Sequence, residues 1–251
     1  MMKSLIASHR GGTLLWGENS RRAFENTLKL PVELVEFDVH PTKDGVLVVH
    51  HDATLDRTTN MTGPVNDITW QELSQGSVNY SGGQRIMTLR ELCELYRNSD
   101  IQLRLEIKGD INKVPYPNIV AQVLSELEET GMKEKCIISS FNCEVLAEVA
   151  SKAPKMFTIW LVARNMPSLL GAEKVAQIAM DTKVNEVSVH VSQIMEETQQ
   201  AVKASHLEYG CYGAHNEADI NKALALGMYA FTTDRPDLAL LLRNQFMLRT
   251  Q

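Results

Sequence analysis

Beyond about residue 100 the sequence alternates between two textures, and that alternation restricts the fold more than any other feature. Short β-branched or apolar runs occur at residues 102–108, 136–140, 156–162, 186–191, 208–212 and 229–233. Each is followed by helically spaced apolar residues, at about 117–130, 143–152, 169–180, 192–204, 217–226 and 236–246. Two further units precede them. A run at 4–8 leads to a helix ending near Leu30, and a second strand at 34–39 is served by a helix at 88–97, with Thr88 and Glu91 spaced as a capping box. Repeated strand–helix units imply a parallel sheet, and eight of them in 251 residues match the length of a (β/α)8 TIM barrel. A doubly wound open sheet is the alternative, but no glycine-rich dinucleotide fingerprint follows the first strand. Residues 52–87 interrupt the pattern with Thr, Asn, Gly and Ser and a short helical patch near 70–73. That length exceeds a plain connection. The expectation is one barrel domain over residues 1–251 with a small insertion after the second strand.

Composition removes several classes of function. A net charge of -6 lacks the basic surface that nucleic acid requires, and no apolar run approaches the roughly 18 residues of a membrane span. The opening MMKSLIAS is too short for a signal peptide, and polar His9 and Arg10 follow at once. Cys93, Cys136, Cys143 and Cys211 have no paired metal or redox spacing and read as buried free thiols. These features favour a cytoplasmic protein acting on a small molecule.

The candidate chemistry concentrates in VEFDVHPTKDGVLVVHHD, residues 35–52. Val35, Phe37 and Val39 alternate with Glu36 and Asp38, so both acids share one face. A turn at 41–45 and an apolar run at 46–49 then return the chain to His50, His51 and Asp52. Alone, this reads equally as an edge hairpin with a wet acidic face. In a barrel, however, functional residues lie at the C-terminal ends of strands. The third strand sets Leu103, Leu105 and Ile107 against Arg104, Glu106 and Lys108, and the apolar set must face the helices. Glu36, Asp38 and Glu106 therefore converge at one mouth. Three carboxylates repel one another and tend to take up protons. A hard divalent cation, Mg²⁺ or Ca²⁺, resolves this with oxygen ligands. Arg10 and Lys108 supply charge for an anionic substrate, and His9 and His51 are candidates for general acid and base.

Other residues carry two readings each. Asn19 caps the first helix, a role Ser20 could also fill, or hydrogen-bonds in the pocket. His190 and Trp160 are assigned inward parity and either line the pocket or fill the barrel. Phe141 ends a strand where it can contact substrate. His50 packs beside His51, Asp52 orients His51 or turns the chain, and Arg57 is structural or functional. Asp234 either supports a site residue from behind or caps the helix that starts at Pro236, and the cap is favoured.

Taken together, the motifs resemble the glycerophosphodiester phosphodiesterase family. The similar segments are His9-Arg10-Gly11, Glu18-Asn19 with Ala23-Phe24, Glu36-Phe37-Asp38-Val39 with Thr42-Lys43-Asp44-Gly45, and His51-Asp52 with 55–59. They continue through Glu106-Ile107-Lys108, Ser139-Ser140-Phe141 and Thr233-Asp234-Arg235-Pro236. The resemblance implies a metal-dependent barrel that cleaves glycerophosphodiesters to glycerol 3-phosphate and an alcohol. By position, Glu36, Asp38 and Glu106 would hold the metal, His9 and His51 would be the acid–base pair, and Arg10 and Lys108 would contact phosphate. Acid–base catalysis contributes roughly 10²–10⁴-fold per group, against accelerations of up to ~10²¹ for phosphate esters. Cationic stabilisation must therefore carry much of the remainder. Two departures bear on the substrate pocket: Gly17 stands where the family carries proline, and Tyr212-Gly213-Ala214-His215 replaces its Trp-Thr-Val-Asn. A lysophospholipase D-like activity would want an apolar rim, which the polar segment 60–84 does not offer. A non-catalytic phosphodiester-binding barrel is disfavoured by the presence of both histidines.

Overall fold

Among the described residues, nine strands form a single sheet. They are β1 (Leu5–Ser8), β2 (Leu34–Pro41), β3 (Leu47–Val49), β4 (Gln102–Ile107), β5 (Cys136–Ser140), β6 (Thr158–Leu161), β7 (Glu186–His190), β8 (Glu208–Tyr212) and β9 (Ala230–Thr233). β1 pairs in parallel with both β2 and β9, which closes eight strands into a barrel, while β3 runs antiparallel along β2. This is the expected TIM barrel. The computed structural model describes residues 3–249; Met1, Met2, Thr250 and Gln251 of the expected span lie outside the described residues. Among those described, no helix is long and apolar enough to cross a membrane.

Helix positions follow the sequence pattern with two local differences. The helix expected at 169–180 is two, Met166–Leu170 and Ala172–Thr182, because Gly171 takes a φ of 80° that ends the first. The helix expected at 192–204 is preceded by a 3₁₀ turn, Val191–Gln193, and runs over Glu196–Ala204. The insertion closes around its own small core of Val48, Leu55, Val65, Leu73, Val78 and Ile86. Thr88 and Glu91 form the anticipated capping box on helix Leu89–Tyr96.

Strand register decides which side chains enter the barrel. Glu36 is level with Arg104, Asp38 with Glu106, and Glu106 with Ser139, while Val35, Phe37, Leu103 and Leu105 are buried beneath the helices. The lower interior is apolar, built from Ala7, Leu34, Ile137, Ile159, Leu161 and Ala230. Trp160 corrects the sequence reading. Ser139 is level with Ile159, so Ile159 and Leu161 point inward and Trp160 joins the helix-facing core. Both parities of β6 are apolar, so hydropathy could not fix its phase.

A buried ion pair occupies the barrel centre, with Arg104 Nη1 3.8 Å from Glu186 Oε1. Room for it comes from Gly210, where a Cβ would sit 2.2 Å from that carboxylate oxygen. Burial raises the Glu186 carboxyl to about 7 despite Arg104. The folded state therefore binds this proton more tightly than the unfolded chain, and this group's contribution to stability falls as pH rises from the carboxylate range through about 7. Removing one partner of such a pair leaves a buried charge alone and costs about 3–5 kcal/mol. Glu186→Gln, which leaves the permanently charged Arg104 guanidinium buried without a counter-charge, should accordingly lose that order of stability in urea titrations at pH 8. Arg104→Met should lose less, because Glu186 can then take up a proton, and equal losses would contradict the pair's role.

Candidate active site

The first loop is shaped by close packing. Gly11 lies so near the helix Arg21–Thr27 that a Cβ there would meet the Ala23 Cβ at 2.9 Å. The turn His9–Gly11 places Arg10 in the left-handed region (φ 49°), a strained conformation for a residue with a side chain. The strain is offset by contacts: the Arg10 backbone N–H donates to Glu36 Oε2 at 3.0 Å and its guanidinium to Glu18 Oε1 at 3.0 Å. Ser20, not Asn19, caps the following helix by accepting from the Ala23 N–H. Asn19 turns inward and donates to Asp38 Oδ2 at 3.0 Å, because its own φ of 52° is incompatible with the extended geometry of a cap.

Glu36, Asp38 and Glu106 are buried, and each presents an oxygen within 4.8 Å of the others. Lys108 Nζ lies 2.8 Å from Glu106 and 3.4 Å from Asp38, and Arg10 Nε is 3.5 Å from Asp38. Burial alone would raise the Asp38 carboxyl, but Lys108 and Arg10 outweigh it and hold Asp38 well below the usual carboxylate range. Glu36 moves the other way, raised by burial and by its neighbour Asp38. Arg10 Nε and Asn19 Oδ1 are buried here without a hydrogen-bond partner among the described residues.

Two imidazoles flank this cluster, each backed by an aspartate. His9 Nδ1 is 2.5 Å from Asp234 Oδ1, and His51 Nδ1 is 2.5 Å from Asp52 Oδ1. Both carboxyls are held below their ordinary range, Asp52 chiefly by hydrogen bonds from Arg57, Asp234 by His9 acting against burial. Ionised carboxylates only accept, so each Nδ1 carries the proton and each Nε2 is left for the cavity; His9 Nε2 lies 3.9 Å from Glu36. Asp234 thus does not serve as the expected helix cap. Its oxygens face imidazoles, in keeping with the inward parity of Thr232 and Ala230, two and four residues earlier along β9, a signal available in the sequence. Arg57 joins the two sides of the mouth, donating to Asp52 at 2.7 Å and to Glu18 at 2.7 and 2.8 Å. His40 was not anticipated. It accepts from the Tyr116 hydroxyl and donates to the His51 carbonyl at 3.0 Å, and burial lowers it to about 4, so it stays neutral.

Two connected cavities open on these groups. One of about 240 Å³ is lined by His9, Glu36, His190, Tyr212 and His215, the other of about 750 Å³ by Asp52, Ile111, Pro115, Val145 and Arg164. His51, Glu106, Lys108 and Phe141 border both. Phe141 packs edge-on against Tyr212, whose hydroxyl donates to the Val162 carbonyl at 2.9 Å. His190 accepts from the Ser192 N–H, and His50 is buried against the Thr54 carbonyl. Trp160 reaches neither cavity.

His9 yields a test that needs no assay of activity. Burial disfavours its charge, but Glu36 and the hydrogen bond to Asp234 prevail and raise its pKa above the ordinary imidazole value. The stability gained from that proton is lost as pH rises through the raised pKa. In metal-free protein, NMR titration should find His9 above the ordinary value, and Asp234→Asn should lower it. An unchanged midpoint would remove Asp234 as the cause.

Comparison with known proteins bears on the same residues. The glycerophosphoryl diester phosphodiesterase family profile matches residues 9–238. A glycerophosphodiester phosphodiesterase from Bacillus altitudinis is 30% identical over 246 residues, covering 96% of this chain and 98% of that protein. One from Caldanaerobacter subterraneus subsp. tengcongensis is 39% identical over 160 residues, 62% of this chain and 65% of that protein's length. A crystal structure from Agrobacterium tumefaciens, provisionally assigned as a glycerophosphoryl diester phosphodiesterase, is 40% identical with a TM-score of 0.95, covering 98% of this chain and 100% of that one.

Proposed function

The chain belongs to the glycerophosphoryl diester phosphodiesterase family, and from that premise we propose that it hydrolyses small glycerophosphodiesters to glycerol 3-phosphate and an alcohol with the help of a divalent cation. The observation that carries this reading is the meeting of three buried carboxylates, two cationic side chains and two aspartate-backed imidazoles at one mouth.

The donor set suits a hard ion. Glu36, Asp38 and Glu106 would hold Mg²⁺ or Ca²⁺, and Asn19 Oδ1, buried without a partner, adds a neutral oxygen beside them. When bound, such an ion supplies positive charge to the phosphoryl oxygens. The carboxylates would then no longer engage Arg10 and Lys108, which turn their N–H groups to the phosphate. His9 and His51 present Nε2 to the bound diester. One accepts a proton from the attacking oxygen and the other gives one to the leaving alcohol. Asp234 and Asp52 hold each ring by its Nδ1–H, so neither imidazole must reorient during turnover. The narrower cavity, with His190, Tyr212 and Phe141 on its walls, takes the glycerol half, and the wider cleft takes the variable alcohol. Four free cysteines suit a reducing compartment, and we assign the chain to the cytoplasm.

Purified protein with Mg²⁺ or Ca²⁺ should release glycerol 3-phosphate from glycerophosphocholine and stop when a chelator is added. A Glu36→Ala/Asp38→Ala double variant should lose at least 10³-fold in kcat, on the order expected when metal charge is removed from phosphoryl transfer; near-normal turnover would refute this site.

One observation favours a second substrate. The segment 60–84 exposes Tyr80, but the exposed apolar side chains beside the wide cleft come from the segments after β4, β5 and β6. Ile111 is 63% exposed, Val114 54%, Phe141 44% and Leu169 78%, and Ile111 and Phe141 border the wide cleft. An acyl chain sits on the glycerol half, so it would leave the narrower cavity past Phe141, which borders both, and rest there. Side-by-side assays of lysophosphatidylcholine and glycerophosphocholine decide this. If acylated substrates are used, Ile111→Asp should depress their kcat/KM about tenfold more than that of glycerophosphocholine, roughly the 1.4 kcal/mol lost with one apolar contact.

A further inference from the structure

Across the mouth from the carboxylates, β1, β8 and β9 bring together a cluster of different chemistry. His9, His215 and Asp234 each offer a ligand atom, all within 4.8 Å of one another. Asp234 stands between the rings, with Oδ1 2.5 Å from His9 Nδ1 and Oδ2 3.2 Å from His215 Nδ1. The two imidazole centroids are 5.4 Å apart. Both rings line the smaller cavity, which leaves a coordination position open to solvent.

The contact at His215 is not an ordinary ion pair. The Asp234 backbone N–H donates to His215 Nδ1 at 3.1 Å, so that nitrogen presents a lone pair and carries no proton. Burial, chiefly, also keeps the ring neutral. That lone pair is held only by the backbone N–H, and Asp234 Oδ2 stands 3.2 Å from Nδ1 with no hydrogen between them. A cation arriving there takes the nitrogen lone pair from the N–H and an oxygen that His215 does not hold. Two nitrogens and one oxygen form a donor set for a borderline ion, whereas the three-oxygen site beside it suits a hard one. Bond lengths of about 2.0–2.2 Å place the ligands of tetrahedral zinc roughly 3.3 Å apart. The His215–Asp234 edge already has that length, the 2.5 Å His9–Asp234 edge opens to it once the shared proton is lost, and side-chain rotation sets the third.

We propose that His9, His215 and Asp234 form a second metal site that takes Zn²⁺, and that its occupancy stops turnover. The inhibitory half rests on the role given above to His9. An ion held there displaces the proton shared between His9 and Asp234 and ties up the ring as a ligand. His215 is this chain's departure from the asparagine of the family pattern, so the site is a property of this sequence and not of the carboxylate centre.

Two readouts test it in saturating Mg²⁺. Calorimetry should detect one Zn²⁺ bound per chain, and hydrolysis of glycerophosphocholine should fall in step with that occupancy. His215→Asn and His215→Ala, each checked for folding by circular dichroism and normalised to its own zinc-free rate, should weaken both zinc binding and inhibition at least tenfold. No zinc bound in excess Mg²⁺, or inhibition equally strong in both variants, overturns the site. Zinc bound in a His215-dependent way without inhibition overturns the switch. If no diester is hydrolysed under any condition, the proposed function fails while calorimetry still decides the metal site.

Discussion

The crowding of three carboxylates at the barrel mouth sets the terms for everything around them. The parallel register that places Asp38 level with Glu106 gives them no room to separate. Two cations, Arg10 and Lys108, stand against three acids, and the deficit of one charge falls on Glu36, whose carboxyl is raised while that of Asp38 is depressed. Arg10 can serve only because its backbone accepts the left-handed conformation and hands its amide to Glu36. The cations that quiet the cluster are also the side chains proposed to meet a phosphate. In that proposal, a metal on the carboxylates and the release of the cations to substrate are two sides of one charge balance.

The two imidazoles proposed to transfer protons are arranged by a different principle. His9 and His51 come from opposite flanks, one from the end of β1 and the other from the end of the hairpin that β3 makes with β2. Each meets an aspartate at 2.5 Å. The aspartates differ in origin: Asp52 is the next residue in the chain, whereas Asp234 arrives from the end of β9 and depends on barrel closure. Arg57 and Glu18 span the gap between the flanks and connect Asp52 to Arg10. Loss of order around Arg57 would thus be felt at Arg10 as well as at His51.

Much of this was legible in the chain because the informative strands are amphipathic. Acids on one parity of β2, and charges on one parity of β4, leave a single way to face the helices. β6 carries apolar residues on both parities, so Trp160 was assigned to the wrong side until its pairing with β5 fixed the phase. Asn19 and Asp234 each kept two readings for a related reason. Asn and Asp before a helix are strong cap signals locally, and only partners distant in sequence, Asp38 and His9, draw both inward. The bridge from Arg57 to Glu18 crosses 39 residues and leaves no local trace.

Gly17 illustrates how a departure from a family pattern can be structural before it is functional. Its φ of 84° is closed to proline, whose ring fixes φ near −65°. The loop here must therefore follow a path that a proline-bearing relative cannot take at this residue. The next residue, Glu18, receives Arg10 on one side and Arg57 on the other through the same carboxylate. A glycine that frees the backbone just before this junction lets one side chain bind both arginines. The backbone freedom of a glycine is offset by those two ion pairs, which tie the first loop directly to Arg57.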